Sequence, residues 1–314
     1  MTFSVLLHDP ETGETGAAVA SKFLAVGALV LHARADSGAV ATQALVNVSF
    51  GPDGLGLLRD GLPADEVVAR LVAGDPSPDR RQLAVLGLDG RAAGYTGPGC
   101  MATAQHTTGA GFAAAGNVLA GPGVVDALAA ALGAHAAGTP VARTVLAALR
   151  AGEAAGGDRR GRQAVRGLVV RAGRGYGGST DRVVDLRVDD HADPLRELGR
   201  LLDLHAELFD RPDEADLLPL SGELRGEVAT LLATVAEEPF DAADDGGLWA
   251  ALDAWAGREN LEERLVRPMN VDPVLVAVLR RCADQAGVAK SLPGGDRAGT
   301  ITPAPAEDAL KPPA

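Results

Sequence analysis

Residues 2–20 have the sequence TFSVLLHDPETGETGAAVA, and this stretch decides the fold. Residues 3–7 and 16–20 are apolar runs of strand length. Between them, Asp9-Pro10-Glu11-Thr12-Gly13 consists of residue types that favour a tight turn. We therefore predict a β-hairpin near the start of the chain.

Groups of predicted strands and helices follow this hairpin. The remaining strands are predicted at 28–33, 38–43, 83–88, 111–115, 168–171 and 183–188. Helices are predicted at 55–71, where Pro63 opens a second helix, and at 124–136 and 141–151. Strands and helices that occur in separate runs favour an α+β domain with an antiparallel sheet over a Rossmann alternation.

The length of 314 residues allows one large domain and one small one. We predict a first domain at 1–210, a small all-α domain at 217–288 and a disordered tail at 289–314, where proline and glycine replace any apolar period. Glycine is abundant, with 40 residues, and aromatic residues make up only 3%. The core is therefore expected to consist of thin layers of Ala, Val and Leu.

Charge and cysteine content exclude several classes of partner. A net charge of −13 repels phosphate backbones and anionic lipid, so we expect no nucleic-acid or membrane partner. Cys100 and Cys282 form neither a disulfide framework nor a zinc motif, so no metal is expected. The sequence has no signal peptide and no membrane span, which predicts a cytoplasmic protein.

No cofactor is expected either. The stretch Gly173-Arg174-Gly175-Tyr176-Gly177-Gly178 matches the GxGxxG pattern, but it precedes a predicted strand and opens no helix. A P-loop and a GxSxG nucleophile motif are both absent from the sequence.

Thr2 is a candidate nucleophile. Removal of Met1 would give Thr2 a free α-amine beside its hydroxyl. An α-amine has a pKa of about 8, so it can accept the hydroxyl proton during attack on a carbonyl. The alternative is an inert terminus.

The densest polar segment is Gly156-Gly157-Asp158-Arg159-Arg160-Gly161-Arg162-Gln163. Its glycines allow close approach of a ligand, and Arg159 and Arg162 have forked donors suited to a carboxylate. The alternative is a solvated turn in which the arginines pair with Asp158.

A second polar group, Asp189-Asp190-His191, ends a predicted strand. It suits an acid–base pair or metal-dependent hydrolysis, although adjacent side chains alternate in direction and supply at most two ligands to one ion. Capping of the helix that begins near Pro194 is the structural alternative.

Several motifs in order resemble those of the family known as domain of unknown function 1028. They are Thr2-Phe3-Ser4-Val5, Asp9-Pro10-Glu11-Thr12-Gly13, Ala20-Ser21-Lys22-Phe23-Leu24-Ala25-Val26-Gly27, Ala41-Thr42-Gln43-Ala44, Gly116-Asn117-Val118-Leu119-Ala120-Gly121, the 156–163 segment and Val184-Asp185-Leu186-Arg187-Val188-Asp189-Asp190-His191. Together they cover residues 2 to about 210.

This resemblance implies an N-terminal-nucleophile (Ntn) hydrolase fold, an αββα four-layer sandwich whose first strand presents the nucleophile. The resemblance does not imply an activity. Carried over by position, Thr2, Lys22 and Asn117 are the catalytic candidates, with Lys22 tuning the amine and either Asn117 or the amide of a neighbouring glycine stabilising an oxyanion. We predict that Thr42, Gln43, Asp158, Arg159, Arg162, Asp190 and His191 bind the substrate. Ala164 stands where the family has serine, so any role of that serine is lost.

Residues 217–288 are similar to a peptidoglycan-binding-like domain that is often fused to this family, through Gly257-Arg258-Glu259-Asn260-Leu261-Glu262-Glu263-Arg264. That name conflicts with the missing export signal. We expect Trp249, Trp255 and Leu261 to be core residues.

The main hypothesis is a hydrolase that cleaves an amide or related acyl bond of a small carboxylate-bearing substrate. The alternative is a non-catalytic module that binds an anionic metabolite. A homo-oligomer is also considered, because the apolar stretch 124–132 suits a subunit contact.

Overall fold

The computed structural model describes residues 2–291 in two compact units, the first ending at Phe209 and the second starting at Asp210. In the first unit the strands are β1 Thr2–Asp9, β2 Glu14–Ser21, β3 Leu31–Arg34, β4 Gly38–Ala44, β5 Arg81–Gly87, β6 Ala92–Thr96, β7 Gln105–Gly109, β8 Phe112–Asn117, β9 Ala164–Val170 and β10 Arg182–Val188. The helices are α1 Gly27–Val30, α2 Phe50–Arg59, α3 Ala64–Ala73, α4 Gly123–Gly133, α5 Val141–Ala154 and α6 Pro194–Phe209.

The strands form two antiparallel sheets. The predicted first hairpin is confirmed, since β1 pairs with β2 and places Phe3 opposite Ala20. Both strands are interior members of a six-stranded sheet with the order β10-β9-β2-β1-β8-β7, and a four-stranded sheet has the order β3-β4-β5-β6. The chain is therefore a mixed α/β protein with antiparallel sheets.

Successive residues of β1 enter different cores because side chains alternate along a strand. Phe3, Val5 and Leu7 pack with residues of α4, α5 and α6, whereas Leu6 packs on the side of the four-stranded sheet. The other face of the four-stranded sheet packs against α2 and α3. The two sheets thus face each other and have helices on their outer faces.

Small residues fill the interface between the sheets, as the low aromatic content predicts. Its buried alanines are Ala17, Ala39, Ala41, Ala84, Ala113, Ala115 and Ala164. Side chains of this size let the two backbones approach closely.

The apolar stretch at 124–132 forms most of α4. Val124, Val125, Leu128 and Leu132 are at most 1% exposed and belong to the core between the helices and the six-stranded sheet. Its apolar face is therefore buried within its own chain.

Three parts of the first unit differ from the sequence prediction, and one of them is strand β6 at Ala92–Thr96, which was not predicted. The strand predicted at 28–33 is divided into α1 and the four-residue β3, and Arg166 donates from Nη1 to the Gly27 carbonyl of α1 at 2.8 Å. Strand β7 was not predicted because its residues 105–108, Gln-His-Thr-Thr, contain no apolar residue. It lies at the edge of the sheet, where burial does not require an alternating pattern.

The second unit contains α7 Gly222–Val235, α8 Asp245–Arg258 and α9 Pro273–Ser291. The prediction that it is all-α is wrong in one detail, since β11 Leu218–Pro219 pairs with β12 Asn270–Val271. This short antiparallel pair joins the segments that precede α7 and α9. Trp255 and Leu261 are fully buried as expected, whereas Trp249 is only half-buried.

Helix α9 continues through residues 289–291, which were predicted to begin the tail. The rest of that predicted tail, 292–314, lies outside the described residues. Over the described part of the chain, no helix combines the length and the apolar character that a bilayer crossing requires.

Candidate functional site

Four strand ends meet at one edge of the six-stranded sheet, and this edge is formed by the ends of the strands and not by an outer strand. There β1 begins at Thr2, β2 ends at Ser21, β8 ends at Asn117 and β9 begins at Ala164. Thr2 is opposite Asn117, and Ser21 is opposite Ala164. The Thr2 and Ser21 hydroxyl oxygens lie 3.2 Å apart, and Thr2 is 6% exposed. The strand register thus places two hydroxyls and one amide side by side.

Asn117 is held by a buried polar network between the two sheets. Its Nδ2 donates to Oε1 of Gln82 at 3.0 Å, and Nε2 of Gln43 donates to the same oxygen at 2.6 Å. The Ser4 hydroxyl donates to Oε1 of Gln43 at 2.8 Å. All four residues are at most 1% exposed. The network therefore fixes the orientation of the Asn117 amide.

The two residues predicted from the Ala41-Thr42-Gln43-Ala44 motif face opposite sides of β4. Gln43 belongs to the inter-sheet network, whereas Thr42 lies on the helix side and donates to the Asn47 carbonyl at 3.1 Å. Both side chains are enclosed, with Thr42 0% and Gln43 1% exposed. The structure therefore places them in the protein interior, and only Gln43 is connected to Asn117.

Asp158 ties the arginine-rich loop to the end of β2. Its Oδ2 accepts the Lys22 backbone N–H at 2.8 Å, and its Oδ1 accepts the Arg160 backbone N–H at 2.8 Å. Gly156 precedes it with a φ of 117°, a conformation that requires glycine. Asp158 thus positions backbone, and Lys22 contributes its backbone here while its side chain is exposed.

A surface cavity of about 110 Å³ lies beside this row of strand ends. Its walls include Phe3, Ser21, Glu153, Asp158, Arg162 and Gln163. Nε of Arg162 is 3.0 Å from Oε1 of Glu153. Burial raises the pKa of the Glu153 carboxyl, Asp193 raises it further, and Arg162 opposes both.

Arg159 and Arg162 differ in their surroundings. Arg162 is paired with Glu153, whereas the exposed guanidinium of Arg159 has no hydrogen-bond or ion-pair partner among residues 2–291. The Arg159 backbone donates to the Val118 carbonyl at 3.4 Å, which holds the loop next to the end of β8. One guanidinium is thus available to an anion and the other is engaged.

Asp190 and His191 pack against the end of the same loop. Nε2 of Gln163 donates to Oδ1 of Asp190 at 3.1 Å, and the His191 backbone donates to the Gln163 carbonyl at 2.8 Å. Nδ1 of His191 accepts the Asp193 backbone N–H at 2.9 Å, one residue before α6. The side chain that accepts an N–H of the first turn of α6 is that of Asp193, which accepts from Arg196 at 3.3 Å, so His191 orients the residue before the helix and does not cap the helix itself. In the described part of the chain, no group of three His, Cys, Asp or Glu side chains is arranged to hold a metal.

Backbone strain is concentrated at this edge of the sheets. Ala25, Ala44 and Val118 have φ values of 51°, 68° and 52°, and they are the non-glycine residues with positive φ in residues 2–209. They follow or end β2, β4 and β8, the strands of Ser21, Gln43 and Asn117. Strained backbone persists where surrounding contacts impose it, often at functional sites.

Comparison with known proteins identifies the family. Residues 2–198 match the model of a family of unknown function, DUF1028. The chain belongs to this family. All of the predicted site residues lie within the DUF1028 match, while the second unit lies beyond it.

A solved structure of a DUF1028 protein, SPO2555 from Silicibacter pomeroyi, is similar to this chain. The two are 34% identical with a TM-score of 0.60, over 68% of this chain and 88% of that one. No curated protein gave a significant match.

Three residues of this DUF1028 site were missed by the sequence analysis. Ser21 lies one residue beyond the predicted second strand, Glu153 two residues beyond the helix predicted at 141–151, and Gln82 one residue before the strand predicted at 83–88. Each became visible only when the element boundaries were known. Ser21 was also contained in the family-like Ala20-Ser21-Lys22 motif, which gave no role for it.

Proposed function

We propose that this protein is an Ntn-type hydrolase in which Thr2 is the nucleophile for an amide or related acyl bond. The principal support is the position of Thr2, which begins an interior strand beside Ser21 and Asn117, at the edge where the arginine-rich loop folds over the sheet. Two facing sheets with helices on their outer faces support the αββα sandwich of that enzyme class.

The proposed chemistry uses the backbone nitrogen of Thr2 as its base, after Met1 has been removed. The α-amine accepts the hydroxyl proton while Oγ1 attacks the carbonyl carbon. The C–N bond then breaks, and the leaving amine takes the proton from the α-ammonium. Water hydrolyses the resulting ester and regenerates Thr2.

Asn117 is proposed to stabilise the oxyanion. One of its amide N–H groups donates to Gln82, and the other has no hydrogen-bond partner among residues 2–291. A donor that is already oriented stabilises developing charge without reorganisation. Lys22 is proposed to act only through the electrostatic field at the amine, since its backbone is the part bound to Asp158.

A second candidate function is non-catalytic binding of an anionic metabolite on the same fold. The exposed guanidinium of Arg159 favours it, because an arginine that has no carboxylate partner among residues 2–291 suits an incoming carboxylate. The small helical unit, which resembles a peptidoglycan-binding-like domain, is proposed as an accessory module that leaves the chemistry of Thr2 unchanged.

Intact-mass spectrometry followed by chemical labelling tests the enzyme proposal. The purified chain should lack Met1, and a β-lactone, whose strained ester acylates an activated hydroxyl, should add once at Thr2. Thr2→Ala should lose the adduct, whereas Thr2→Ser should retain it. Retained Met1, or equal labelling of Thr2→Ala, would reject Thr2 as the nucleophile and favour the binding module.

A further inference from the structure

The cavity beside the strand ends contains opposite charges at contact distance. Glu153 lies in the last turn of α5, and Arg162 lies on the following loop. Their side chains are 20% and 50% exposed, so solvent and ligands reach both. Gly156, Gly157 and Gly161 line the same cavity and leave it open because they have no side chains.

The location of Glu153 is electrostatically unfavourable without a cation. A carboxylate near the C-terminus of a helix opposes the helix dipole. Burial raises the Glu153 pKa, and the nearby Asp193 raises it again. The positive charge of Arg162 lowers the Glu153 pKa and so stabilises the carboxylate form. A carboxylate at this position lowers the stability of its own helix. Its presence there is better explained by binding of a ligand than by a contribution to folding.

The ion pair itself contributes little to folding. Half of the Arg162 side chain is exposed, so water screens the pair, and burial of Glu153 offsets part of the attraction while two long side chains are restricted. A ligand that supplies an ammonium to Glu153 and a carboxylate to Arg162 replaces both halves of the pair at small cost. Arg159, which has no partner among the described residues, adds a second donor for the carboxylate on the same loop.

We propose that this cavity recognises a zwitterionic α-amino-acid group, with the ammonium on Glu153 and the carboxylate on Arg162. This inference rests on the proposed function and specifies its substrate class as an amide attached to a free amino acid. Thr2 itself does not line the cavity, but its strand neighbour Phe3 does, and so does Ser21, whose hydroxyl lies 3.2 Å from that of Thr2. The cavity is therefore next to the strand end at which the proposed nucleophile lies, and an amide carried by the bound amino acid would have to reach around that strand end.

Isothermal titration calorimetry on the full chain with three matched probes tests the proposal. L-norvaline has both charges, pentanoate lacks only the ammonium, and butylamine lacks only the carboxylate. None has an amide to cleave, so binding is measured independently of Thr2 and of turnover. We expect norvaline to bind at least about tenfold more tightly than either single-charge probe.

Glu153→Gln provides the sharper test. It removes the ammonium site and also releases Arg162, so norvaline should lose about tenfold in affinity while pentanoate binds as well or better. Arg162→Gln should weaken norvaline and pentanoate together. Circular dichroism verifies that each variant is folded.

Glu197→Gln is the matched control. Glu197 pairs with Arg200 at 2.7 Å with side chains 28% and 60% exposed, but it does not line the cavity. It should leave all three affinities unchanged. Equal binding of the three probes, no norvaline binding in the millimolar range, or an unchanged norvaline-to-pentanoate ratio in Glu153→Gln would overturn the zwitterion site. Each of these outcomes leaves the labelling test of Thr2 unaffected.

Discussion

The hydroxyls of Thr2 and Ser21 lie 3.2 Å apart on neighbouring strands, at the edge where β1 begins and β2 ends. A hydrogen bond between them orients the Thr2 side chain relative to its own backbone nitrogen. If Thr2 is the nucleophile, that orientation determines how well the amine receives the proton.

Ser21→Ala is therefore expected to slow β-lactone labelling of Thr2 by about tenfold, the equivalent of one hydrogen bond of about 1.4 kcal/mol. The rate is measured by mass spectrometry of the N-terminal peptide. Ser4→Ala is the control, since Ser4 lies two residues further along β1 and bonds to Gln43. A labelling rate that Ser4→Ala lowers as much as Ser21→Ala would show a general loss of stability.

Gly51 and Gly56 lie in the same helix, α2, but have different surroundings. A Cβ on Gly51 would overlap the imidazole ring of His32, whereas a Cβ on Gly56 would meet nothing within 4 Å. Gly51→Ala should lower the free energy of unfolding by about 2 kcal/mol through overpacking. Gly56→Ala should raise it by about 0.5–1 kcal/mol through helix propensity. Urea denaturation measures both, and similar effects of the two substitutions would contradict the packing of α2 on β3.

Asp158 accepts two backbone N–H groups while being 8% exposed. Asp158→Ala leaves those donors without their acceptor, so the free energy of unfolding should fall by about 2 kcal/mol or more. Asp203→Ala, which removes an exposed partner of Arg143, should cost less than about 1 kcal/mol. Thermal or urea unfolding of the pair provides the comparison. A small effect of Asp158→Ala would mean that the arginine-rich loop is held by other contacts.

Gln82 is the centre of the buried inter-sheet network. Its Nε2 donates to the Gly116 carbonyl at 2.8 Å, and its Oε1 accepts from Gln43 and Asn117. Gln82→Leu should cost about 3 kcal/mol, because several buried polar groups lose a partner together. Gln105→Leu, at a more exposed amide, should cost less than about 1 kcal/mol. Equal unfolding midpoints for the two variants would contradict this role of Gln82.

His32 gives a pH dependence with a definite sign. Burial lowers its pKa below the ordinary 6.5, a hydrogen bond donated by the imidazole to the Leu29 backbone opposes this, and Arg166 lowers the pKa further. His32 therefore takes up its proton at a higher pH in the unfolded chain than in the folded chain. Its contribution to the free energy of unfolding is fully present above pH 6.5 and decreases as the pH falls towards the lowered pKa.

The free energy of unfolding should accordingly decrease between pH 7 and pH 5, in part through His32. Burial also lowers the pKa values of His8 and His106, so some decrease should persist in His32→Phe. A smaller slope in that variant is the expected result of urea denaturation at several pH values. An unchanged slope would exclude His32 as a contributor.

The parts of the fold with strong local patterns were predicted from the sequence. The first hairpin has two apolar runs and an unmistakable turn, and α5 has a clear helical period. Strand β7 and the short α1 have no such pattern, because their places depend on neighbouring strands and on Arg166. Tertiary contacts, rather than local propensity, determine these elements.

The candidate site was predictable in part for the same reason. Thr2, Asn117 and Asp158 lie in motifs, and the structure brings the ends of their strands and loop together. The partners Ser21, Gln82 and Glu153 depend on which face of a strand or helix a residue occupies, and an error of one or two residues at an element boundary changes that face. Thr42 illustrates this, since the next residue along β4 enters the network and Thr42 does not.

The alanine-lined interface between the sheets has a mechanical consequence. Alanine methyl groups interlock little, so only the few larger side chains of the interface, such as Leu6, Leu31 and Leu86, resist a change in the offset of one sheet over the other. The bonds that join Ser4 to Gln43, and Gln82 to Asn117, are directional and permit one offset only. These hydrogen bonds oppose sliding of one sheet over the other. They therefore keep the ends of the strands that carry Thr2, Ser21 and Asn117 in register.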